Sequence, residues 1–284
     1  MNLLKMLDSY ITFTAIGEAA DLGSQMQQYA SLYAIAKHTG KKIIFPESCL
    51  NRGFGFKLHT VYNIEFDIRP DSFFQDFVTI QPTDGLMPDP KVYSLESEVN
   101  YNFINLLHTY HYWYPDDQQD IAEMPWNKNN FDLAISKRKE LPLDKKLVSI
   151  HVRRGDYLKH DHFCKLDVGY YSSAIAKFLP SVEEYHFVVF SNDIEWCKDN
   201  LIEESDLITF LEPGTDAVDM MLMSLCDHNV IANSSFSWWA AFRNKNKNKK
   251  ITCPKNYIRS YSPYRFLNGN YCLPVWDAIE NDAT

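Results

Sequence analysis

The run Leu147-Val148-Ser149-Ile150-His151-Val152-Arg153-Arg154-Gly155-Asp156-Tyr157 decides the fold. Its first half is rich in β-branched and apolar residues, the composition of a buried strand, and it stops abruptly in two arginines, a glycine and an aspartate. Alternation along a strand puts Val148, Ile150 and Val152 on one face and Ser149, His151 and Arg153 on the other, with Arg154 turned away. A buried strand that delivers charge to its carboxyl end fits an open α/β sheet, where ligands bind outside the carboxyl ends of the strands. Arg153 is therefore expected to grip an anion such as phosphate, which the planar fork of guanidinium suits. For Arg154 and Asp156 the alternative is a local ion pair that ties down a turn.

The rhythm continues downstream. Helices are expected over 170–178, 194–202, 216–226 and 236–243, and strands over 185–190, 207–211, 229–232 and 250–253. Strands alternating with helices at these intervals predict a parallel sheet with crossovers on both faces. Upstream, a strand over 10–16, a loop, a helix over 25–38 stopped by Gly40 and a strand over 42–45 form a βαβ unit. The loop Glu18-Ala19-Ala20-Asp21-Leu22-Gly23-Ser24-Gln25 sits at the carboxyl end of that first strand and is a candidate ligand contact. Between Asn51 and Tyr114 aromatic residues and prolines break the pattern. A helix is expected over 100–112, its aromatics read as core with a sugar pocket as the alternative, and His108 and His111 side by side on it. The polar stretch 115–146 reads as a helix followed by an interdomain connection.

The chain has 284 residues and a net charge of −9, too acidic for a nucleic-acid partner. The lysines of Asn244–Lys250 read as a solvated loop, with a peripheral lipid-headgroup contact as the alternative. Six cysteines lack any CxxC or tight pairing, so reduced thiols in a cytoplasmic protein are expected. No run of about 18 apolar residues suggests a membrane span.

Three strand ends in the second half finish in polar residues: His151-Val152-Arg153, Ser191-Asn192-Asp193 and Asn233-Ser234-Ser235, the last followed by Phe236-Ser237. In a parallel sheet they gather on one rim. The segment 233–237 also opens a helix, whose free N–H groups and positive dipole end favour an anion. Asp193 has no basic neighbour in sequence and is expected to accept hydrogen bonds, for example from a purine's N–H groups.

These three segments resemble the signatures of α-1,2-fucosyltransferases of glycosyltransferase family 11: His151-Val152-Arg153-Arg154-Gly155-Asp156-Tyr157, Phe190 to Trp196, and Asn233-Ser234-Ser235-Phe236-Ser237-Trp238-Trp239. The family's N-terminal loop, Gly-Gly-Leu-Gly-Asn-Gln-Met-Phe-Gln-Tyr, corresponds to Ala20-Asp21-Leu22-Gly23-Ser24-Gln25-Met26-Gln27-Gln28-Tyr29, which departs from it at several positions. The chain is similar to bacterial members, which have no membrane anchor.

The resemblance implies an α/β protein of GT-B architecture, with two Rossmann-like domains facing a central cleft. Residues 1–141 would take a galactose-containing acceptor and residues 142–284 the donor, GDP-fucose. It implies inverting transfer with no metal or other cofactor. Arg153 is then the expected catalytic residue, with Asp156, Glu18 and Asp21 as candidates for the base. His151, Arg154, Asp193, Asn233, Ser234, Ser235, Ser237, Gly23 and Gln25 are expected to contact the substrates. A metal-dependent transferase would have to use Asp116-Asp117, and a zinc site His160, His162 and Cys164. A binding protein on the same fold is the non-enzymatic alternative.

Overall fold

A computed structural model describes residues 8–81, 90–104, 113–201, 205–263, 265, 268 and 271–282. The chain divides into two compact units, Met1–Asn127 and Lys128–Thr284.

The first unit opens with β1 (Tyr10–Thr12), α1 (Leu22–Thr39), β2 (Lys42–Ile43), β3 (Phe45–Pro46) and α2 (Leu58–Val61). Then come β4 (Ile68–Arg69), β5 (Val78–Ile80), β6 (Tyr101–Phe103) and α3 (Pro115–Glu123). α1 begins at Asp21, whose carboxylate accepts the Leu22 amide proton, and stops at Gly40, whose φ of 69° only glycine adopts freely. The sheet runs β2-β1-β6-β5 with every pair parallel, and β3 and β4 form a separate parallel pair.

The helix expected from residue 100 is instead the inner strand β6 over Tyr101–Phe103. Tyr101 and Phe103 are buried on its flanks, and the Asn102 side chain accepts from the amide and hydroxyl of Thr14. Three residues are too few to display a period of two, so neighbouring strands decide the conformation. His108 and His111 lie outside the described residues.

The second unit comprises α4 (Lys128–Lys139), β7 (Lys146–Val152), α5 (Val168–Ala176), β8 (Tyr185–Ser191), α6 (Ile194–Asn200) and β9 (Ile208–Phe210). It continues through α7 (Asp216–Ser224), β10 (His228–Val230), α8 (Ser235–Phe242), β11 (Ile251–Pro254) and β12 (Asp277–Ile279). The division falls after Asn127 rather than after residue 141, because α4 packs on α7 of this unit, with Lys137 Nζ 4.0 Å from Asp219. The Arg-Lys-Glu-Leu-Pro run that reads as a connection is the end of that helix and its exit.

The second sheet is fully parallel in the order β12-β11-β10-β7-β8-β9. From β7 the chain winds outward through β8 and β9, then returns to β10 on the other side and winds away through β11 and β12. The order thus reverses between β7 and β10, which makes that pair the switch point where such sheets hold ligands. One face of β7 supplies Val148, Ile150 and Val152 to a core with Tyr170, Tyr171, Phe187 and Val189. On its other face Ser149 joins a buried amide network through Asn229 and Asn244. The alternation read from the sequence holds.

Two expectations change. Cys253 and Cys272 form a disulfide across 19 residues, whereas Cys49, Cys164, Cys197 and Cys226 are buried free thiols. The pairing joins β11 to the segment before β12, a neighbour relation that residue spacing does not encode. β12 itself, an edge strand with two exposed residues, was also not expected. Among the described residues no helix is long and apolar enough to cross a membrane.

Candidate active site

The switch point of the second sheet brings three polar strand ends together. After β7 the backbone turns through Gly155 at φ +55°, where an added Cβ would lie 2.6 Å from Asn192 Nδ2. Asn192, after β8, accepts the Arg154 amide proton at 2.9 Å and so ties the two strand ends together. Glycine is required here by both its φ and the approach of that side chain.

The two arginines diverge as alternation predicts. Arg153 Nη2 lies 2.8 and 2.9 Å from the two carboxylate oxygens of Asp156, and its guanidinium carbon sits 5.1 Å from the centre of the Tyr157 ring. Its Nε is buried without a hydrogen bond, while the side chain as a whole is 26% exposed. The guanidinium end thus presents charge at the strand end, where an anionic partner could meet it. Arg154 goes the other way, with Nε 3.1 Å from Asp193 Oδ2 and its guanidinium stacked 3.8 Å from the Trp196 ring centre. Asp193 therefore has a basic partner after all, one that is 39 residues away in sequence and adjacent only across the sheet.

His151 is buried, with Nδ1 2.8 Å from Ser237 Oγ and its ring 5.3 Å from that of Phe236. Burial, assisted by the nearby Arg153 charge, pushes its pKa down to about 3, so the imidazole is neutral at physiological pH. The Ser237 hydroxyl also accepts the Ala232 amide proton at 3.2 Å and is itself buried. It is thus a brace for His151 and the β10 exit, a change from its expected part as a substrate contact.

Asn233 changes in the same way: its amide donates to the carbonyls of Cys164 (2.8 Å) and Tyr257 (3.1 Å), locking the loop around Phe163 onto the sheet. Ser234 caps α8 by accepting the Phe236 amide proton, and Ser235 opens the helix half-buried. The Tyr157 ring stacks on Phe163, and the carbonyl of the following Cys164 is held by Asn233, the residue before Ser234. Arg153 and the mouth of α8 are thus linked through this aromatic pair. Tyr157 and Asn192 are the residues that sequence reading passed over. The glycine between them in function, Gly155, was the available signal.

In the first unit the loop after β1 occupies the corresponding switch point, between β1 and β6. Gly17 and Gly53 both have positive φ, and a Cβ at Gly53 would meet the Glu18 carbonyl at 2.1 Å. Gln25 is fully buried: Nε2 donates to Ala20 O and Gly55 O, and Oε1 accepts from Lys57 N. It brackets two loops from inside instead of facing a ligand, and Gly23 is buried in the first turn of α1. Asp21 caps α1 and pairs with Lys57 at 2.5 Å, while the exposed Glu18 lies 4.0 Å from Arg52. Asp117 is fully buried against His38 and Lys37, so the Asp116-Asp117 pair does not present two carboxylates to solvent.

The sequence model of glycosyl transferase family 11 matches residues 4–276. The chain belongs to glycosyl transferase family 11. Among curated members it is 36% identical over 135 residues to an α-1,2-colitosyltransferase of Escherichia coli, covering 39% of this chain and 47% of that one. It is 26% identical over 284 residues to the rabbit (Oryctolagus cuniculus) galactoside α-(1,2)-fucosyltransferase 2, covering 94% and 76%. The chain spans less than half the length of the colitosyltransferase, and 38% of the E. coli O-antigen glycosyltransferase WbnK. Among solved structures, POFUT1 in complex with GDP-fucose superposes with a TM-score of 0.58 at 11% identity, covering 86% of this chain and 97% of that one. The fucosyltransferase NodZ from Bradyrhizobium gives 0.55 at 11% identity, covering 82% and 93%. These likenesses establish the fold of the family 11 chain as GT-B, an α/β fold with parallel sheets.

Proposed function

We propose that this family 11 member transfers L-fucose from GDP-fucose to the 2-hydroxyl of a terminal β-galactoside on an oligosaccharide or surface glycan, with inversion at the anomeric carbon and no metal cofactor. One observation carries the reading: Arg153, partly exposed at the end of β7, and the capped mouth of α8, which follows β10, stand on adjacent strand ends at the switch point of one parallel sheet. Family membership and the galactoside fucosyltransferases among its relatives supply the sugar and the linkage.

In this reading the donor diphosphate lies at the mouth of α8, held by the helix N–H groups, Ser234 and Ser235. As the bond to fucose breaks, negative charge grows on the leaving β-phosphate, and the Arg153 guanidinium neutralises it, the part a divalent cation plays in other transferases. His151 and the Arg154–Asp193 pair contact the guanosine end. The acceptor hydroxyl attacks from the face opposite the phosphate. Asp156 orients Arg153 in this scheme, since both of its oxygens face Nη2. The first unit's loop around Gly17, Glu18 and Gly23 serves the acceptor, with Gln25 as its internal support.

The relation to a colitosyltransferase favours a second reading, in which colitose is the transferred sugar. The test is a panel of galactosides offered GDP-fucose and GDP-colitose with EDTA present, the product linkage being read by NMR. An α-1,2-fucosylated galactoside is the expected product. Exclusive use of GDP-colitose favours the second reading, and strict dependence on added Mn²⁺ or Mg²⁺ overturns the metal-free scheme. Tight GDP binding by calorimetry without transfer to any acceptor overturns the enzymatic assignment.

A further inference from the structure

We propose that Tyr157 is a positioning residue that holds the Arg153 guanidinium and the N-terminus of α8 in register, so that both act on one diphosphate. The proposal rests on the donor site described above and goes beyond it by naming what aligns its two halves. Arg153 and Ser234 are 81 residues apart and stand on different strand ends of the same sheet. The helix mouth is held by buried backbone bonds, whereas the Arg153 side chain is restrained only weakly. The ion pair of Arg153 is with Asp156, whose side chain is 50% exposed, and such pairs contribute little rigidity in water.

Tyr157 links the two. Its ring lies 5.1 Å from the Arg153 guanidinium carbon, and the ring that supports it is tied to Asn233, the residue before Ser234. The ring is itself immobilised by stacking on Phe163, with centroids 4.2 Å apart and planes within 7°. Phe163 is fixed in turn by its antiparallel bridge to Ile258, and the following Cys164 carbonyl is the one that Asn233 holds. At the other end, the Tyr157 amide donates to Arg154 O at 3.0 Å in a tight turn, so the backbone cannot swing the ring away. Guanidinium and helix mouth therefore share one rigid aromatic support. Placement of charged groups before the reaction is what lets them stabilise developing charge without reorganising.

The experiment is a double-mutant cycle in the full chain, reading the Kd for GDP, kcat and KM for GDP-fucose, and the urea midpoint. Tyr157→Leu is expected to lower kcat by roughly 30- to 100-fold with little change in KM for the acceptor, the scale of misplacing a charge-stabilising group. In the Arg153→Ala background the same change costs no more than about threefold further, because the element it aligns is gone. Tyr157→Phe keeps the ring under the guanidinium and returns activity to within about tenfold of wild type. Losses that multiply in the double variant overturn the coupling, as does a Tyr157→Leu loss accounted for by the unfolded fraction. If Tyr157→Leu does not fold, Phe163→Leu, which removes the ring's support, decides together with Arg153→Ala: their combined loss should not exceed the larger single loss, and a product of the two overturns the proposal. Wild-type protein that transfers normally beside additive variants overturns this inference alone. Wild-type protein that binds no GDP overturns it together with the proposed function.

Discussion

Replacing Arg153 with alanine isolates the group on which the proposed chemistry turns. Its side chain is 26% exposed, so its charge is only partly screened. At an effective dielectric near 20, a unit charge pair about 4 Å apart is worth about 4 kcal/mol. Only the part of this attraction that strengthens as the leaving diphosphate gains charge accelerates the reaction. A loss of about 3–4 kcal/mol, or roughly 10²–10³-fold in kcat, is therefore expected for Arg153→Ala. The fold should lose much less. Asp156 is half exposed and rehydrates when its partner leaves, and the ring contact with Tyr157 adds little, so the stability change should stay within about 1–2 kcal/mol. Arg153→Lys keeps the charge without the fork and should fall between the two proteins. Initial rates of GDP release with a β-galactoside, at saturating and limiting GDP-fucose, measure the first quantity; urea unfolding measures the second. Transfer by Arg153→Ala within about threefold of wild type, or a rate loss that tracks its unfolded fraction, would refute the reasoning.

Three further outcomes follow from the same geometry. Gly155→Ala places a Cβ 2.6 Å from Asn192 Nδ2 at a φ of +55°, so it should destabilise the second unit by about 1–3 kcal/mol and lower GDP affinity, as thermal unfolding and calorimetry would reveal. The pKa of His151 is depressed on folding from 6.5 to about 3, so between those values the unfolded chain binds the extra proton. Its contribution is therefore complete above pH 6.5 and is lost progressively as pH falls towards 3; urea midpoints should show a steeper acid decline in wild type than in His151→Gln. Gln25→Ala strands two carbonyls and an amide that its side chain satisfies internally, and should cost about 2–4 kcal/mol in the first unit, measured by hydrogen exchange of α1.

The legible part of this protein is local. A β-rich run ending in Arg153, alternating strand and helix lengths after it, and a helix opening within 233–237 are all encoded by neighbours within a few positions. Periodicity and capping act over that range, which is why the second sheet and its polar strand ends could be read from the sequence before the structure. The family motifs added the chemistry because their order survives in the linear chain. Where strands shrink to two or three residues, as β2 to β6 do, periodicity has no room to appear, and sheet partners decide the conformation of Tyr101–Phe103.

Only the tertiary structure sorted the polar residues into those that face outward and those that brace. Asn233, Ser237 and Gln25 look like ligand donors in sequence, yet packing buries their polar atoms against the protein's own groups. Asp193 looks isolated until the sheet sets Arg154 beside it, and Cys253 finds Cys272 only because β11 and the segment before β12 run together. Local sequence specifies what a side chain can donate or accept. Whether that capacity is spent inside the protein or offered to a substrate depends on neighbours tens of residues away, which the folded chain alone brings into contact.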